Sequence, residues 1–436
     1  MYQTIQFKTT TLSVRNSVSR SPLPLGFFLI PLTLALLALS QTARAVSPAP
    51  DGGYPGSNTA EGTQALFSLT TGTANTAVGF QTLFSDTSGN YNTATGSHAL
   101  KNNAADNNTA DGFQALFHNT TGVDNAATGW RALFHNTTGD DNTATGSQAL
   151  FHNTTGFNNT ANGVRALQSN TTGSGNTANG VNALHFNTDG FGNTANGEAA
   201  LSSNTTGGAN TANGVGALQS NTTGDRNTAT GVTALFLNTT GHFNTANGSE
   251  ALHSNTDGGN NTANGLSALF NNTVGDFNTA NGVQALFNTT GNNNIALGFE
   301  AGLNLTTGDN NIDIGNSGVA AESDAIRVGT QGTQTNAYIA GIFAVSVPNG
   351  LGVVVDSTGH LGTVASSQRF KDEIKPMDKA SEAILALKPV TFRYKKQLDP
   401  EGIPQFGLVA EDVEKVNPIW WRATPKARST PCATRR

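Results

Sequence analysis

The chain has 436 residues, of which only 12% are charged, 50 are glycine and one is cysteine, and its formal net charge is −6. This acidic balance gives no indication of nucleic acid as a partner. The single cysteine, Cys432, excludes an intrachain disulfide framework.

The N-terminal segment predicts export. Three basic residues precede an apolar stretch from Leu23 to Leu39, and Ala43-Arg44-Ala45 follows it. A charged region, an apolar region and a small-x-small site form the order of a secretory signal peptide. We therefore expect residues 1–45 to be a signal peptide cut between Ala45 and Val46, residues 46–57 to be a linker, and the protein to be secreted or on the cell surface. A membrane anchor is the alternative, although the stretch is short for a spanning helix.

A repeated unit occupies most of the chain and reads N-T-A-x-G-x-x-A-L-x-x-N-T-T-G-x-x. Successive units are 17 residues apart, except at two steps of 16 residues. A fixed short period predicts that each unit is one turn of a stack. The leading residues are Asn58, Asn75, Asn92, Asn108, Asn125, Asn142, Asn159, Asn176, Asn193, Asn210, Asn227, Asn244, Asn261, Asn278, Asn294 and Asn311.

The composition of the unit favours strands over helices. Glycine stands at the fifth position of every unit, from Gly62 to Gly315, and a second glycine ends most N-T-T-G corners. Such positions suit a positive φ or a close backbone approach. The segments between the corners are short and rich in Thr and Asn, which are poor helix formers. We therefore expect two short strands per coil, N-T-A-x-G and A-L-x, stacked in parallel on the next coil about 4.8 Å away.

Identical residues in register predict ladders along the stack. Asn amides at one phase can hydrogen-bond from coil to coil. The apolar content of a coil is small, with alanine at two positions, leucine at the ninth and often phenylalanine at the tenth. One coil would bury little apolar area. We therefore expect chains to associate, with Leu and Phe rows shared between them.

Two other repeat architectures fit the unit poorly. Helical solenoids have repeats of about 33 residues or more, and calcium-binding β-rolls require aspartate in a glycine-rich pattern. We expect no cofactor and no metal. His118, His135 and His152 recur at one phase, and solvent-facing stacked rings or a metal-binding row are both compatible with this spacing. Binding of ice or a glycan by flat Thr and Asn rows is a further alternative.

The last units resemble the heads of YadA-type trimeric autotransporter adhesins. They read N-I-A-L-G at Asn294–Gly298, N-I-D-I-G at Asn311–Gly315 and A-I-R-V-G at Ala325–Gly329. The resemblance implies an all-β fold, a left-handed parallel β-roll of about sixteen 17-residue coils over residues 58–330, and side-by-side packing of three chains. A β connector is expected over residues 331–360.

The segment 361–418 resembles the intramolecular chaperone domain of phage endosialidases and tail spikes. It contains S-S-Q-R-F-K at Ser366–Lys371, then L-x-P-V-x-F-x-Y and G-L-V-A-E-D-V-E in order. We expect a small α+β domain, with helix at 379–387, a strand at 390–394 and a strand-to-helix element from Gly407. The resemblance implies that the domain assists homotrimer formation and then cuts itself off.

By the spacing of that family, Ser366 is the nucleophile, Lys371 is its base and the cut bond is Ala365–Ser366. A hydroxyl becomes a competent nucleophile when a nearby base takes its proton, and burial can lower the pKa of a lysine enough for this role. The chain would then be at most an intramolecular serine autopeptidase. An inert serine in a turn beside a solvated lysine is the alternative.

The final segment, residues 419–436, departs from the family pattern. It carries five basic residues, no acidic ones, two tryptophans and the only cysteine. One choice of codons for it, read one base earlier, yields a string that looks like the normal continuation. The segment is therefore expected to be frameshifted, which would leave the chaperone domain truncated and inactive; a genuine basic tail is the alternative. The sequence thus predicts a fibre-like structural or adhesion protein of unknown ligand, with an ice- or glycan-binding solenoid or a non-functional product as alternatives.

Overall fold

The structure, a computed structural model, describes residues 54–340, 342, 353–363, 374, 381–393, 395–396 and 404–416. The chain divides into two compact units, Met1–Ala337 and Tyr338–Arg436. The predicted signal peptide and its cleavage bond Ala45–Val46 lie outside the described residues. Among the described residues, no helix is both long enough and apolar enough to span a membrane.

The first unit is a β-solenoid in which each coil contributes one strand of three residues. The strands are β1 Thr59–Glu61, β2 Thr76–Val78, β3 Thr93–Thr95, β4 Thr109–Asp111, β5 Ala126–Thr128, β6 Thr143–Thr145, β7 Thr160–Asn162, β8 Thr177–Asn179, β9 Thr194–Asn196, β10 Thr211–Asn213, β11 Thr228–Thr230, β12 Thr245–Asn247, β13 Thr262–Asn264, β14 Thr279–Asn281, β15 Ile295–Leu297, β16 Ile312–Ile314 and β17 Ile326–Val328. They form one 17-stranded sheet, which confirms the predicted all-β parallel solenoid of about sixteen coils.

Each strand pairs in parallel with the next strand along the chain. Thr59 lies opposite Thr76, and Thr76 lies opposite Thr93. The register is kept across a 16-residue step, where Thr93 pairs with Thr109, and across the final 14-residue step, where Ile312 pairs with Ile326. Identical positions of the unit therefore align into columns along the whole stack.

The A-L-x segment is not the second strand that the composition suggested, because its backbone turns. The ninth-position leucines adopt positive φ values, such as 50° at Leu83, 51° at Leu184 and 52° at Leu201. This left-handed region is unfavourable for a residue with a side chain. The conformation turns the chain back so that a 17-residue coil closes on itself, and burial of the leucine offsets its cost.

The interior holds three apolar columns, two of alanine and one of leucine. In the coil of β9, Ala195, Ala200 and Leu201 are fully buried. The expected sharing of leucine rows between chains is therefore wrong, because each leucine is enclosed by its own coil and the two adjacent coils. Small alanines suit these positions since the coils stack closely at strand spacing.

Two buried asparagine columns complete the interior. In the first, the leading asparagine closes its coil and bonds to the previous one: Asn176 Nδ2 donates to Gly190 O at 2.8 Å, and its backbone N–H donates to Asn159 Oδ1 at 3.0 Å. In the second, Asn204 Nδ2 donates to Asn187 Oδ1 at 2.7 Å and to Gly207 O at 2.9 Å. The predicted Asn ladders are confirmed, and they satisfy polar groups that burial would otherwise penalise.

Both glycine corners are required, for different reasons. Gly180 has a φ of 143°, and a Cβ there would lie 2.4 Å from the carbonyl oxygen of Gly197. At the second corner, a Cβ on Gly190 would lie 2.6 Å from Gly207 O and 2.3 Å from Asn187 Oδ1. The fifth-position glycine therefore serves both a positive φ and a close approach, while the second serves close approach.

The second unit contains short elements. They are β18 Val353–Val355, β19 Leu361–Thr363, α1 Glu382–Leu385, β20 Val390–Phe392, β21 Gln405–Gly407 and α2 Ala410–Val416. Strand β18 pairs antiparallel with β19, and β20 pairs antiparallel with β21. The predicted helix near 379–387, the strand from Val390 and the strand-to-helix element at Gly407 are present, and they form the expected small α+β region.

Candidate functional site

The predicted cleavage site is not placed by the structure. Ala365, Ser366 and Lys371 lie outside the described residues. The strand β19 ends at Thr363, two residues before Ala365. The candidate site for which the structure gives contacts therefore lies on the solenoid.

An aromatic wall covers three consecutive coils. Phe117, Phe134 and Phe151 stack at centroid distances of 5.2 Å. Each of these rings meets the following histidine edge-to-face, as Phe134 does with His135 at 4.7 Å. The wall follows from the sequence F-H-N-T-T-G in three successive units, because strand pairing brings the same phase together.

The histidines form the outer row of this wall. His118, His135 and His152 stack with centroid distances of 5.4 Å and nearly parallel planes. Desolvation lowers the pKa of His118 and of His135, and at His135 the neighbouring His118, His152 and Arg131 lower the pKa further. A neutral imidazole offers one donor and one acceptor.

A groove of about 550 Å³ runs between the histidine row and a threonine row. The residue between each histidine and threonine along the chain belongs to the buried second asparagine column. Thr120 Oγ1 donates to Thr137 O at 2.8 Å and Thr137 Oγ1 donates to Thr154 O at 2.9 Å, so the hydroxyl oxygens keep lone pairs as acceptors. Asn102 and Ser169 line the two ends. No charged side chain is among these lining residues, which suits a neutral polar ligand.

The geometry disfavours the metal-binding alternative for the histidine row. Neighbouring parallel rings are 5.4 Å apart, whereas two nitrogens bound to one zinc ion at about 2.1 Å each are at most about 4.2 Å apart. Among the described residues, no group of three or more His, Cys, Asp or Glu is arranged to hold a metal ion. The rings of His118 and His135 are half-buried and that of His152 is exposed.

The two ends of the solenoid differ. At the N-terminal end, a cavity of about 530 Å³ is lined by Tyr54, Leu66 and Leu69 among others, where the apolar columns begin. At the other end, Asp313 and Arg327 occupy the alanine column, in register with each other. Arg327 makes a bidentate ion pair with Glu322, with Nε–Oε2 at 2.7 Å and Nη2–Oε1 at 2.6 Å. A charged last layer is the polar cap that a stack requires.

Asp313 is the most perturbed carboxyl group of this end. It is 1% exposed and its Oδ2 has no hydrogen-bond partner among the described residues. Desolvation, together with the Glu322 carboxylate, raises its pKa to about 6, while Arg327 acts in the opposite direction. The N-I-D-I-G sequence signals this position, since aspartate there replaces the core alanine of N-T-A-x-G, but sequence reasoning did not identify it.

Comparison with known proteins supports the C-terminal assignment. A family model, peptidase S74, described as chaperone of endosialidase, matches residues 366–421. No curated protein and no solved structure gives a significant match to the chain. The matched segment is a small part of the chain and begins at Ser366, so the chain is similar to this family in its C-terminal region. The resemblance of the repeats to YadA-type heads receives no support from these comparisons.

Proposed function

We propose that the protein is an exported, fibre-like surface protein whose C-terminal segment assists assembly into a homotrimer. A parallel β-solenoid followed by a segment that matches the chaperone of endosialidase fits a tail-fibre-like protein. This combination is the observation that carries the proposal. Export rests on the N-terminal leader, and the homotrimer rests on the kind of family matched. An adhesive role would follow if the repeats bind a surface ligand.

The C-terminal segment would also cleave itself. In this reaction Lys371 takes the proton of Ser366 Oγ, which attacks the carbonyl carbon of Ala365. The C–N bond breaks as an ester forms, and Lys371 returns the proton to the departing nitrogen. Water then hydrolyses the ester, leaving a carboxyl group on Ala365 and an amino group and a free hydroxyl on Ser366. Splitting a difficult step through a covalent intermediate is the general advantage of such nucleophiles. The start of the family match at Ser366 supports this choice of bond.

The cleavage proposal is tested by substitution. In a chain whose segment after Pro418 is read in the alternative frame, Ser366→Ala or Lys371→Ala should abolish release of a fragment beginning at Ser366. Ser367→Ala is the matched control and should still release it. Mass spectrometry identifies the new N-terminus, and undiminished release from the Ser366→Ala chain would refute the assignment. The sequence as it stands should show little or no cleavage, because residues 419–436 depart from the family pattern.

A second candidate function is recognition of a glycan or of ice by the solenoid surface. The uncharged groove between the histidine and threonine rows favours a hydroxyl-rich ligand, and the first position of the strands β2–β14 is threonine in all but β5, which carries Ala126. Glycan-array binding that is lost in His135→Ala would support the groove. Thermal hysteresis would support ice, and the absence of both would exclude this candidate.

A further inference from the structure

A row of exposed apolar side chains follows the solenoid along its length. Its members occupy the sixth position of the unit, directly after the first glycine. They keep between 39% and 69% of their surface exposed. We call this row the ridge. Its apolar members are Phe80, Phe113, Trp130, Val164, Val181, Val215, Val232, Leu266, Val283 and Phe299.

The ridge has a longer period of its own. Polar residues interrupt it at every third coil, at Ser97, Ser147, Glu198 and Ser249. Two apolar coils therefore alternate with one polar coil over most of the stack. The rows on either side, at the fourth and seventh positions, are mainly polar in the same coils. An apolar strip with a polar rim is typical of a surface that binds another macromolecule.

At the C-terminal end the ridge meets a second apolar surface, which we call the end patch. The outer faces of β15–β17 carry isoleucine, leucine and valine where earlier strands carry mainly threonine and asparagine. Strand register places them in two rows of three. All but Ile312, which is half-buried, are exposed. The end patch comprises Ile295, Leu297, Ile312, Ile314, Ile326 and Val328.

Neither surface is needed to close the coil. The leucines and alanines of the interior are already buried within one chain. The ridge and the end patch together expose on the order of 1,000 Å² of apolar surface, comparable to the roughly 800 Å² that one partner contributes to a standard interface.

We propose that the ridge and the end patch form the contact between copies of this chain, packed side by side and in the same direction. The inference rests on the homotrimer of the proposed function and names its surface. A strip that repeats at the coil spacing over most of the solenoid can be covered along its length only by a partner of equal length and spacing. A second copy meets both conditions.

The direction of packing follows from the end patch. It lies at one end only, so two copies cover each other's end patch when their C-terminal coils are side by side. In the opposite direction, the patch would meet the first coils, whose strand β1 exposes Thr59 and carries Glu61. The same in-register arrangement places Glu198 of one copy beside Glu198 of the other. Repulsion between the two carboxylates therefore opposes association.

The test uses the full chain with its segment after Pro418 read in the alternative frame, taken as the wild type, and compares three variants of it by sedimentation. The wild-type protein should form a trimer, and Val215→Ser with Val232→Ser should lower its association constant at least tenfold. Phe157→Ser with Phe191→Ser is the matched control, since these residues are similarly exposed but lie in another row. Circular dichroism must show the same strand content in all of them. Glu198→Ser should strengthen association.

A cross-linking measurement tests the direction. In the same chain without any other cysteine, a cysteine introduced by Val328→Cys should form a disulfide between copies on mild oxidation. Failure to cross-link in an associating protein overturns the parallel arrangement. If the wild-type protein is a trimer and the valine substitutions leave it intact, the ridge is not the contact between copies, although the homotrimer stands. A wild-type monomer overturns both, and the two failures are therefore distinguishable.

Discussion

The middle coils and the last three coils have the same strand arrangement but place opposite kinds of side chain inside and outside. In the middle coils, alanine fills the strand column of the interior and threonine faces outward, as at Thr211 and Ala212 of β10. In the last coils, Asp313 and Arg327 enter the interior column while isoleucine faces outward. In an interior coil the strand column is covered by neighbouring coils on both sides, so a small apolar residue fits there. Arg327 lies in the last coil, which is open on one side, whereas Asp313 lies one coil further in and stays buried.

The largest difference between the two regions should appear at the glycine corner. Gly180→Ala places a Cβ 2.4 Å from the Gly197 carbonyl oxygen at a φ of 143°, and backbone atoms cannot move aside singly. We expect a loss of about 3 kcal/mol or more, in the range of overpacked and strained sites. Gly315 has a φ of 58° and no atom within 4 Å of such a Cβ.

For Gly315→Ala we therefore expect only the cost of a left-handed alanine, about 1 kcal/mol. Denaturant unfolding, with hydrogen exchange of the neighbouring strands to separate local from global opening, measures both variants. Equal losses in the free energy of unfolding for Gly180→Ala and Gly315→Ala would show that the stacked neighbouring coil does not determine the cost of the added Cβ.

The asparagine ladder should show a smaller effect. Asn204 donates to Asn187 and Gly207 and accepts from Asn221 Nδ2 at 2.7 Å. Asn204→Ala leaves buried partners unsatisfied, so we expect a loss of about 2 kcal/mol. Asn272 lies at the end of the ladder and its Oδ1 has no partner among the described residues. Asn272→Ala should cost about half as much in the same unfolding assay, and a reversed order would contradict the ladder as a source of stability.

The smallest effect concerns Asp313 and depends on pH. Its folded pKa of about 6 lies above the usual value of about 3.9 for an unfolded aspartate. The folded state therefore holds the proton more tightly, and stability falls as pH rises from about 4 to above 6. Asp313→Asn removes this loss and should stabilise the protein at pH 7 by about 1–2 kcal/mol, discounted for screening by solvent and Arg327.

The pH profile of thermal unfolding checks this prediction, because the stabilisation by Asp313→Asn should vanish below about pH 4. The exposed Asp141→Asn exchange is the control for loss of one negative charge. A gain of the same size at pH 3 and pH 7 would contradict burial of an ionised Asp313 as the cause.

The sequence predicted the architecture because the 17-residue period can be read directly from the order of residues. Asn, Gly and Ala at constant phases indicate parallel coils, asparagine ladders and glycine corners, and all three are present. The predicted second strand at A-L-x was wrong, since the pattern of apolar and polar residues cannot reveal that Leu201 adopts a φ of 52°. The groove could be anticipated from the repeated F-H-N-T-T-G, but not the depth of burial that lowers the pKa of His118 and His135.

The sequence by itself therefore determined which residues form columns, because residues 17 positions apart must occupy equivalent places in a regular stack. It also carried the C-terminal similarity that begins at Ser366. Only the tertiary structure decided which columns face inward, because this depends on how each coil closes through its left-handed leucine and glycine corners. For that reason the leucines proved to be enclosed in one chain, and the exposed valine and isoleucine side chains became the surface available to a second copy.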